Sequence, residues 1–228
     1  MNHTAMRHGR RLMTLLTPAL LVISANPAAA KASTFTAPFS GDSAYWGCQP
    51  ECQRLSFETQ QSASKATGAI TAAGSLRAPA LNTAGANLFA VGLVQQYGSQ
   101  SKPVSGASAT VDYTIESATA ALTGTNRGNA RVLLIASLWN AGCGCEVTET
   151  VIIAGTNATS PPTFSGPRSV TIRLTAPGTS RPIKGIVLIR AQIRVESSLS
   201  EESLTGATTE RTARAEAQGV VTRIVYSG

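Results

Sequence analysis

The segment IVLIRAQIRVE, residues 186–196, decides the fold class of this chain. From residue 189 onward it alternates strictly between apolar and polar side chains. The apolar set is Ile189, Ala191, Ile193 and Val195, and the polar set is Arg190, Gln192, Arg194 and Glu196. Because successive side chains of an extended strand point to opposite faces, this period of two predicts a strand with one buried face.

The same pattern recurs along the chain and predicts a protein built from strands. Segment 131–139 (RVLLIASLW) differs, because it is apolar on both faces, as expected of an interior strand that is covered on both sides. The ten predicted strands are 54–62, 66–77, 86–97, 111–117, 131–139, 147–154, 170–175, 186–196, 213–219 and 220–226.

Strand length and the connecting residues narrow this to one architecture. Turn-forming residues cluster between the strands, for example GSQSKP at 98–103 and TNRGN at 125–129. Several strands exceed ten residues, which favours jelly-roll strands over the short ones of immunoglobulin domains. The sequence therefore predicts an all-β, antiparallel β-sandwich of jelly-roll type. Small inward-facing residues in 63–75 and 213–219 predict that the two sheets approach closely there.

Residues 1–30 have the features of an export signal. Three arginines precede a mainly apolar stretch that is too short, and too interrupted by Pro18, to span a bilayer. The alanines at 28–30 supply small residues for cleavage, which would leave Lys31 as the new amino terminus. We therefore predict a secretory signal peptide followed by a single sandwich domain, 31–228, that is secreted to the extracellular space or the periplasm.

Removal of the predicted signal changes the composition that bears on function. His3, His8 and all three methionines lie within it, so the chain from residue 31 has neither histidine nor methionine. Its three arginines leave 16 basic residues against 12 acidic ones, and the formal net charge falls from +7 to +4. The basic residues are spread along the chain, which predicts no nucleic-acid partner. No second apolar run is long enough to predict a membrane span.

The four cysteines lie in two short segments, CQPEC and CGC. In an oxidising compartment an even number predicts disulfides, with three possible pairings. Because a bridge across the single glycine of CGC would need strained geometry, we predict crossed bridges that join Cys48 and Cys52 to Cys143 and Cys145. A zinc site of four thiolates is the alternative, but the spacings fit zinc knuckles poorly. We predict no metal site and no cofactor.

The absence of histidine from the predicted mature chain excludes several kinds of catalysis. Ser-His-Asp and Cys-His mechanisms and histidine-ligated metal centres are ruled out for that chain. Glycoside cleavage by two carboxyl groups remains, and it needs a separation of about 5–9.5 Å. Asp112 and Glu116 share a strand face but lie roughly 13 Å apart along it, and Glu146 and Glu149 fall on opposite faces. We therefore expect solvent-facing charges and no enzyme, although a cross-strand pair of acids stays open.

Aromatic residues near the cysteines are the candidate ligand-binding residues. Tyr45 and Trp46 precede Cys48 in a segment that is predicted to be irregular, and Trp139 precedes Cys143. Crossed disulfides would draw both tryptophans into one neighbourhood, where exposed indole rings can stack on the C–H faces of sugar rings. The alternative is that the tryptophans pack against the disulfides in the core, as in other sandwich domains.

These observations leave three functions open. The first is a non-catalytic secreted protein that binds a glycan or another cell-surface polymer through Tyr45, Trp46 and Trp139. The second is a structural or interaction protein of the cell envelope, in which neighbouring copies associate through sheet faces or edges. The third, which the residues favour least, is a glycoside hydrolase with two catalytic acids. The exposure of the two tryptophans bears most directly on the first of these.

Overall fold

The computed structural model describes residues 39–50, 52–156, 163–176 and 181–228. These residues form ten strands and one short 3₁₀ helix, Cys52–Arg54. The strands are β1 (Gly41–Gln49), β2 (Ser56–Ala63), β3 (Ala69–Ala78), β4 (Ala86–Val104), β5 (Ala107–Thr123), β6 (Gly128–Asn140), β7 (Cys145–Gly155), β8 (Thr163–Ala176), β9 (Ile183–Leu199) and β10 (Arg211–Ser227). In this described part, no helix is long and apolar enough to cross a bilayer. The predicted signal peptide lies outside the described residues.

The strands form two five-stranded antiparallel sheets that pack face to face. The β9 sheet has the order β1-β4-β9-β6-β7, and the β10 sheet has the order β2-β3-β10-β5-β8. Apart from β2-β3 and β6-β7, consecutive strands lie in different sheets. Strands β3 to β10 thereby make the two four-stranded sheets of a jelly roll, and β1 and β2 extend one edge of each. The predicted antiparallel sandwich of jelly-roll type is confirmed.

The alternating segment that predicted the fold forms the centre of the β9 sheet. Strand β9 pairs with β4 on one side and with β6 on the other. Its inward residues, including Ile189 and Val195, are fully buried between the sheets. As the sequence RVLLIASLW predicts, β6 is an interior strand, in which Leu133 and Leu134 are buried on opposite faces.

Three details of the strand prediction are wrong, and the last two offset each other in number. Residues 98–103, which were predicted to form a turn, belong to β4, which continues to Val104. The segment around Tyr45 and Trp46 is not irregular, because its backbone pairs over nine residues with β4 and forms β1. Its sequence, GDSAYWGCQ, has no clean alternation that would reveal this. The predicted strands 213–219 and 220–226 are one strand, β10, since irregularities after Gln218 and Val221 shift its register without ending it.

Small residues let the two sheets approach closely, as predicted. The hydroxyl of Ser197 in β9 donates a hydrogen bond of 2.9 Å across the sandwich to the carbonyl oxygen of Gly74 in β3. At Gly92 in β4 the approach is closer still. A Cβ atom there would collide with the side chain of Ile70 and lie 2.5 Å from the carbonyl oxygen of Ser62. The spacing between the sheets therefore depends on glycine at this position.

A buried arginine fixes the loops at one end of the sandwich. Arg211, the first residue of β10, is fully buried. Its guanidinium donates hydrogen bonds to the carbonyl oxygens of Ser200 (2.9 Å), Asn82 (2.6 Å) and Ala84 (3.1 Å). A carboxylate oxygen of Glu202 lies 3.3 Å from its Nη1. These partners of Nη1 and Nη2 compensate for much of the lost hydration of the charge, whereas the buried Nε has no hydrogen-bond partner among the described residues. Arg211 therefore anchors the loops that precede β4 and β10.

The cysteines form two local disulfides, Cys48–Cys52 and Cys143–Cys145. The predicted crossed pairing is therefore wrong. The first disulfide packs against a small apolar cluster at the rim of the sandwich, and the second packs against the main core. Because all four sulfur atoms are oxidised in pairs, no thiolate is left for the alternative zinc site.

Strand register explains the local pairing. Residues that are paired across neighbouring strands form a lateral row of the sheet. Cys48 is in the row that contains Ser197 of β9, whereas Cys145 is in the row that contains Val187 of β9. These rows are ten residues apart on β9, roughly 33 Å at about 3.3 Å per residue, and disulfides need Cα atoms within about 7 Å. Within CGC, Gly144 adopts a left-handed conformation (φ 64°) that glycine tolerates. The Cα atoms on either side of it are 5.2 Å apart.

The close approach of the sheets predicts that Gly92→Ala destabilises the protein. The added methyl group would press on backbone atoms of β2 and β3, so we expect a loss of about 1–3 kcal/mol in the free energy of unfolding. Gly106→Ala is the matched control, because its Cβ would meet only one atom, at 3.5 Å. Urea denaturation measures both variants. Equal stability of Gly92→Ala and the parent would contradict this account of the packing.

The disulfide pairing predicts the products of a tryptic digest without reduction. Cleavage after Lys31, Arg54, Arg131 and Arg168 places each cysteine pair within one peptide, 32–54 or 132–168. We expect two separate peptides in the mass spectrum, each lighter by two hydrogens than its reduced form. A single species containing both peptides would instead show the crossed pairing.

Candidate functional site

The outward face of the β9 sheet carries the candidate site. The outward residues of β9 are Ile186, Leu188, Arg190, Gln192, Arg194, Glu196 and Ser198. On the two flanking strands, Tyr97 of β4 and Trp139 of β6 are both in register with Leu188. Since residues paired in register project from the same face of a sheet, the three side chains form one lateral row.

Over most of this face, long polar side chains of β9 lie beside apolar residues that are shielded from water. Val91 and Leu133 flank Arg194 on its two sides. Both are buried although they face away from the core. Arginine side chains lay their aliphatic stems along apolar surface while the charged heads stay in water. The middle of the face therefore presents polar groups to a ligand.

At Leu188 the polar cover ends and an apolar surface is exposed. We call the row of Tyr97, Leu188 and Trp139 the aromatic platform. Leu188 is 5% exposed and forms its floor, whereas Tyr97 is 49% exposed and Trp139 is partly exposed. The two aromatic residues are two strand spacings apart, about 10 Å. Ile186, which is also exposed, extends the apolar surface along β9.

Polar side chains border the aromatic platform: Gln95 and Arg190 on the side opposite Ile186, and Glu146 of β7 at the end of the row, beside Trp139. The amide Nε2 of Gln95 donates a hydrogen bond of 3.3 Å to the hydroxyl oxygen of Tyr97. In the same region, Nη1 of Arg190 lies 3.7 Å from Oε1 of Glu146, and both side chains are exposed. An apolar surface with a few polar groups at its margin is the usual composition of a small-molecule binding site.

The other end of this face holds a polar depression, which we call the arginine depression. Its outward lining residues are Asn87, Phe89, Asn129, Arg131, Arg194, Glu196 and Ser198. Nε of Arg131 donates a hydrogen bond of 2.5 Å to Oε2 of Glu196. Nε of Arg194 lies 2.8 Å from Oε1 of the same carboxylate, an ion pair without hydrogen-bond alignment. The Arg194 guanidinium also stacks 4.7 Å from the ring centre of Phe89.

The structure separates Tyr45 and Trp46, two of the predicted site residues. As successive residues of β1, they point to opposite faces. Tyr45 is on the outward face and meets the ring of Phe89 edge-on at 6.4 Å. Trp46 is on the inward face, where it packs against Phe57 of β2 at 5.3 Å and covers the rim between the two sheets. It is nevertheless 46% exposed.

Trp46 and Trp139 do not share a neighbourhood, so that expectation is wrong. Their rows are seven residues apart along the strands, and three strand spacings separate them across the sheet. These separations amount to roughly 23 Å and 14 Å. The local disulfides do not draw the two tryptophans together. Only Trp139 lies on the aromatic platform.

Sequence reasoning missed Tyr97 and Leu188 as site residues. Tyr97 falls at the end of the predicted strand 86–97, and Leu188 precedes the strict alternation that begins at residue 189. The signal that could have found them is their spacing of two residues from a polar side chain, since residues two apart on a strand share a face. Tyr97 is two residues from Gln95, and Leu188 is two residues from Arg190, so each large apolar side chain lies on the polar face of its strand.

The acidic residues considered for glycoside cleavage are held by polar partners or lie on opposite faces. Glu116 accepts a hydrogen bond from Gln218. Glu146 is in register with Trp139 on the outward face, and Glu149 is three residues further along the same strand, in register with an inward residue. In the part of the chain that is described, no group of three or more His, Cys, Asp or Glu side chains is placed to hold a metal ion.

Asp112 is the acid whose titration is most clearly perturbed. Partial burial raises the pKa of Asp112, but hydrogen bonds from Thr171 and Arg223 and the charges of Arg223 and Arg173 outweigh it, so the pKa lies below its ordinary value. The hydrogen bonds to the carboxylate are 2.7 Å from Thr171 and 2.7 Å from Nε of Arg223. A lowered pKa keeps the group ionised at neutral pH, which is the opposite of what a catalytic acid requires.

Comparison with known proteins adds little to this geometry. No family model and no curated protein matches the chain. Among solved structures, it is similar to TmCBM61 in complex with β-1,4-galactotriose, over 77% of this chain and 88% of that one, with 11% sequence identity and a TM-score of 0.20. A likeness at this TM-score supports no inference about ligand or activity.

The lowered pKa of Asp112 predicts a contribution to acid stability. Its ion pair stabilises the folded state above about pH 4, the ordinary range of an aspartate, and this stabilisation is lost as the pH falls through the lowered value. We expect Asp112→Asn to cost roughly 1 kcal/mol at pH 7 and progressively less below pH 4. Thermal unfolding between pH 7 and pH 2 measures this. A difference that stays constant over that range would contradict the assignment.

Proposed function

We propose that this protein is a secreted, non-catalytic binding module that recognises a glycan through the aromatic platform. The observation that carries the proposal is the lateral row of Tyr97, Leu188 and Trp139. It places two partly exposed aromatic side chains on either side of a low aliphatic floor.

The chemistry of the platform suits a sugar ring. A pyranose has apolar C–H faces and polar hydroxyl groups around its edge. The rings of Tyr97 and Trp139 offer flat apolar surfaces for the C–H faces, and their O–H and N–H groups remain polar handles at the margin. The amide of Gln95, the guanidinium of Arg190 and the carboxylate of Glu146 border this surface. Together they supply both donors and acceptors for hydroxyl groups.

The position of the platform in the sheet favours binding. Leu188 and Trp139 are paired with a neighbouring strand on both sides. Tyr97 is paired with β9 on one side, and its backbone N–H donates a hydrogen bond of 2.8 Å to the hydroxyl of Ser40. A ligand that meets a preorganised surface has less conformational entropy to overcome. Exposed apolar surface on a rigid sheet face is also typical of interaction sites.

Other features support export and the absence of catalysis. Two disulfides are typical of proteins in oxidising compartments. No histidine occurs after His8, so histidine-dependent catalysis would require the segment that we predict to be a signal peptide.

A polysaccharide binding panel tests the proposal. The exported protein is mixed with insoluble cellulose, xylan, mannan, galactan, chitin or peptidoglycan, and the bound fraction is measured by depletion. We expect binding to at least one of them. Trp139→Ala and Tyr97→Ala should each weaken it about tenfold or more, a change of ~1.4 kcal/mol, because each removes one stacking surface.

Trp46→Ala is the matched control for Trp139→Ala, since it removes a tryptophan of the same sheet from the rim. Its binding should equal that of the parent protein. Loss of binding in Trp46→Ala with retention in Trp139→Ala would move the site to the rim. Failure of the exported protein to bind any member of the panel would count against glycan recognition.

A further inference from the structure

We propose that the arginine depression binds acidic groups of an anionic polysaccharide whose chain also lies on the aromatic platform. This inference rests on the proposed function, because it names the class of polymer that the same sheet face recognises. It adds a second contact region, at the opposite end of that face.

The depression has an excess of positive charge. Arg131 and Arg194 share a single carboxylate, that of Glu196. The two arginine side chains are 38% and 36% exposed. Because they are partly buried, solvent and salt screen their charges less than those of fully exposed side chains. One carboxylate cannot neutralise two guanidinium groups, so a second anion is attracted to this position.

The ion pairs leave the outer edges of both guanidinium groups available. Arg131 and Arg194 each approach Glu196 through Nε. Within the described residues, the Nη groups of these two arginines make no hydrogen bond to the protein. Terminal guanidinium N–H groups make the bidentate contacts that arginine forms with carboxylates. Such a contact would leave the existing pairs with Glu196 in place.

The surrounding residues hold these donors in position. The ring of Phe89 lies against the guanidinium of Arg194, which restricts its rotation. Oδ1 of Asn129 accepts a hydrogen bond of 3.1 Å from the hydroxyl of Thr156, so its Nδ2 is left as a donor. The side chain of Asn87 lines the same depression. The depression therefore combines cationic and neutral donors, as a carboxylate and its neighbouring hydroxyl groups require.

The distance to the aromatic platform requires an extended ligand. Leu188 and Glu196 are eight residues apart on β9, about 26 Å at ~3.3 Å per residue. Arg190 and Gln192 lie between them on the same face. A single sugar cannot reach both ends, whereas a polysaccharide chain that follows β9 can contact the platform, the intervening polar side chains and the depression.

Polymers that share a backbone and differ in charge test this inference. Affinities are measured for polygalacturonate against its methyl-esterified form, and for carboxymethyl-cellulose against methyl-cellulose, at low and high NaCl. We expect the exported protein to bind the charged member of at least one pair about tenfold more tightly at low salt. The preference should shrink at high salt.

The double variant Arg131→Gln/Arg194→Gln should bind the charged and neutral members equally. Arg77→Gln/Arg214→Gln is its matched control. It removes the same number of charges from exposed, ion-paired arginines of the β10 sheet. This control should keep the preference, and Trp139→Ala should weaken binding of both members.

The outcomes separate this inference from the proposed function. Equal binding of charged and neutral polymers by the parent protein, with loss of both in Trp139→Ala, overturns the anionic class and leaves glycan binding intact. An equal loss of preference in both double variants shows an effect of net charge alone and also overturns it. Failure to bind these polymers or any polysaccharide of the panel overturns both proposals.

Discussion

The alternation of side chains along β9 is the constraint on which the rest of the structure depends. Its inward residues from Ile189 to Val195 are apolar and fully buried. The β10 sheet lies close enough for the next inward residue, Ser197, to reach the carbonyl oxygen of Gly74. Its outward residues are long and polar from Arg190 to Glu196. The same strand therefore sets both the core and the surface chemistry of its sheet. Before residue 190 the alternation is replaced by four consecutive apolar residues, 186–189. The aromatic platform is exposed at this part of the strand.

The fold could be predicted from the sequence because period-two patterning is local. Each strand shows which of its residues face inward, and strand length separates a jelly roll from shorter sandwiches. The candidate site could not be predicted in the same way. Tyr97 and Trp139 flank Leu188 only because β4 and β6 pair with β9 in one particular register. No local sequence pattern specifies the register between strands that are distant in the chain. The cysteine pairing was mispredicted because the positions of CQPEC and CGC along the sheet were unknown.

The two tryptophans are both partly exposed, but their different positions in the sheet give them different roles. Trp46 lies on an edge strand and faces the other sheet, so its contact with Phe57 explains its placement as a cover for the rim. Trp139 lies on an interior strand and faces outward beside a shielded leucine, and the ring contacts found among the described residues do not involve it. Similar indole chemistry thus serves packing in one place and recognition, in our proposal, in the other. The arginine depression extends that recognition surface along β9 because the outward face is continuous.

Two-dimensional NMR of the indole N–H groups tests the central claim most directly. The chain has only two tryptophans, so its spectrum contains one indole signal from Trp46 and one from Trp139, which single substitutions assign. During titration with soluble oligosaccharides of cellulose, xylan, mannan, galactan and chitin, the account predicts that at least one shifts the signal of Trp139 in a saturable way while that of Trp46 stays in place. A saturable shift confined to Trp46, or no shift of either signal with any of these ligands, would contradict it.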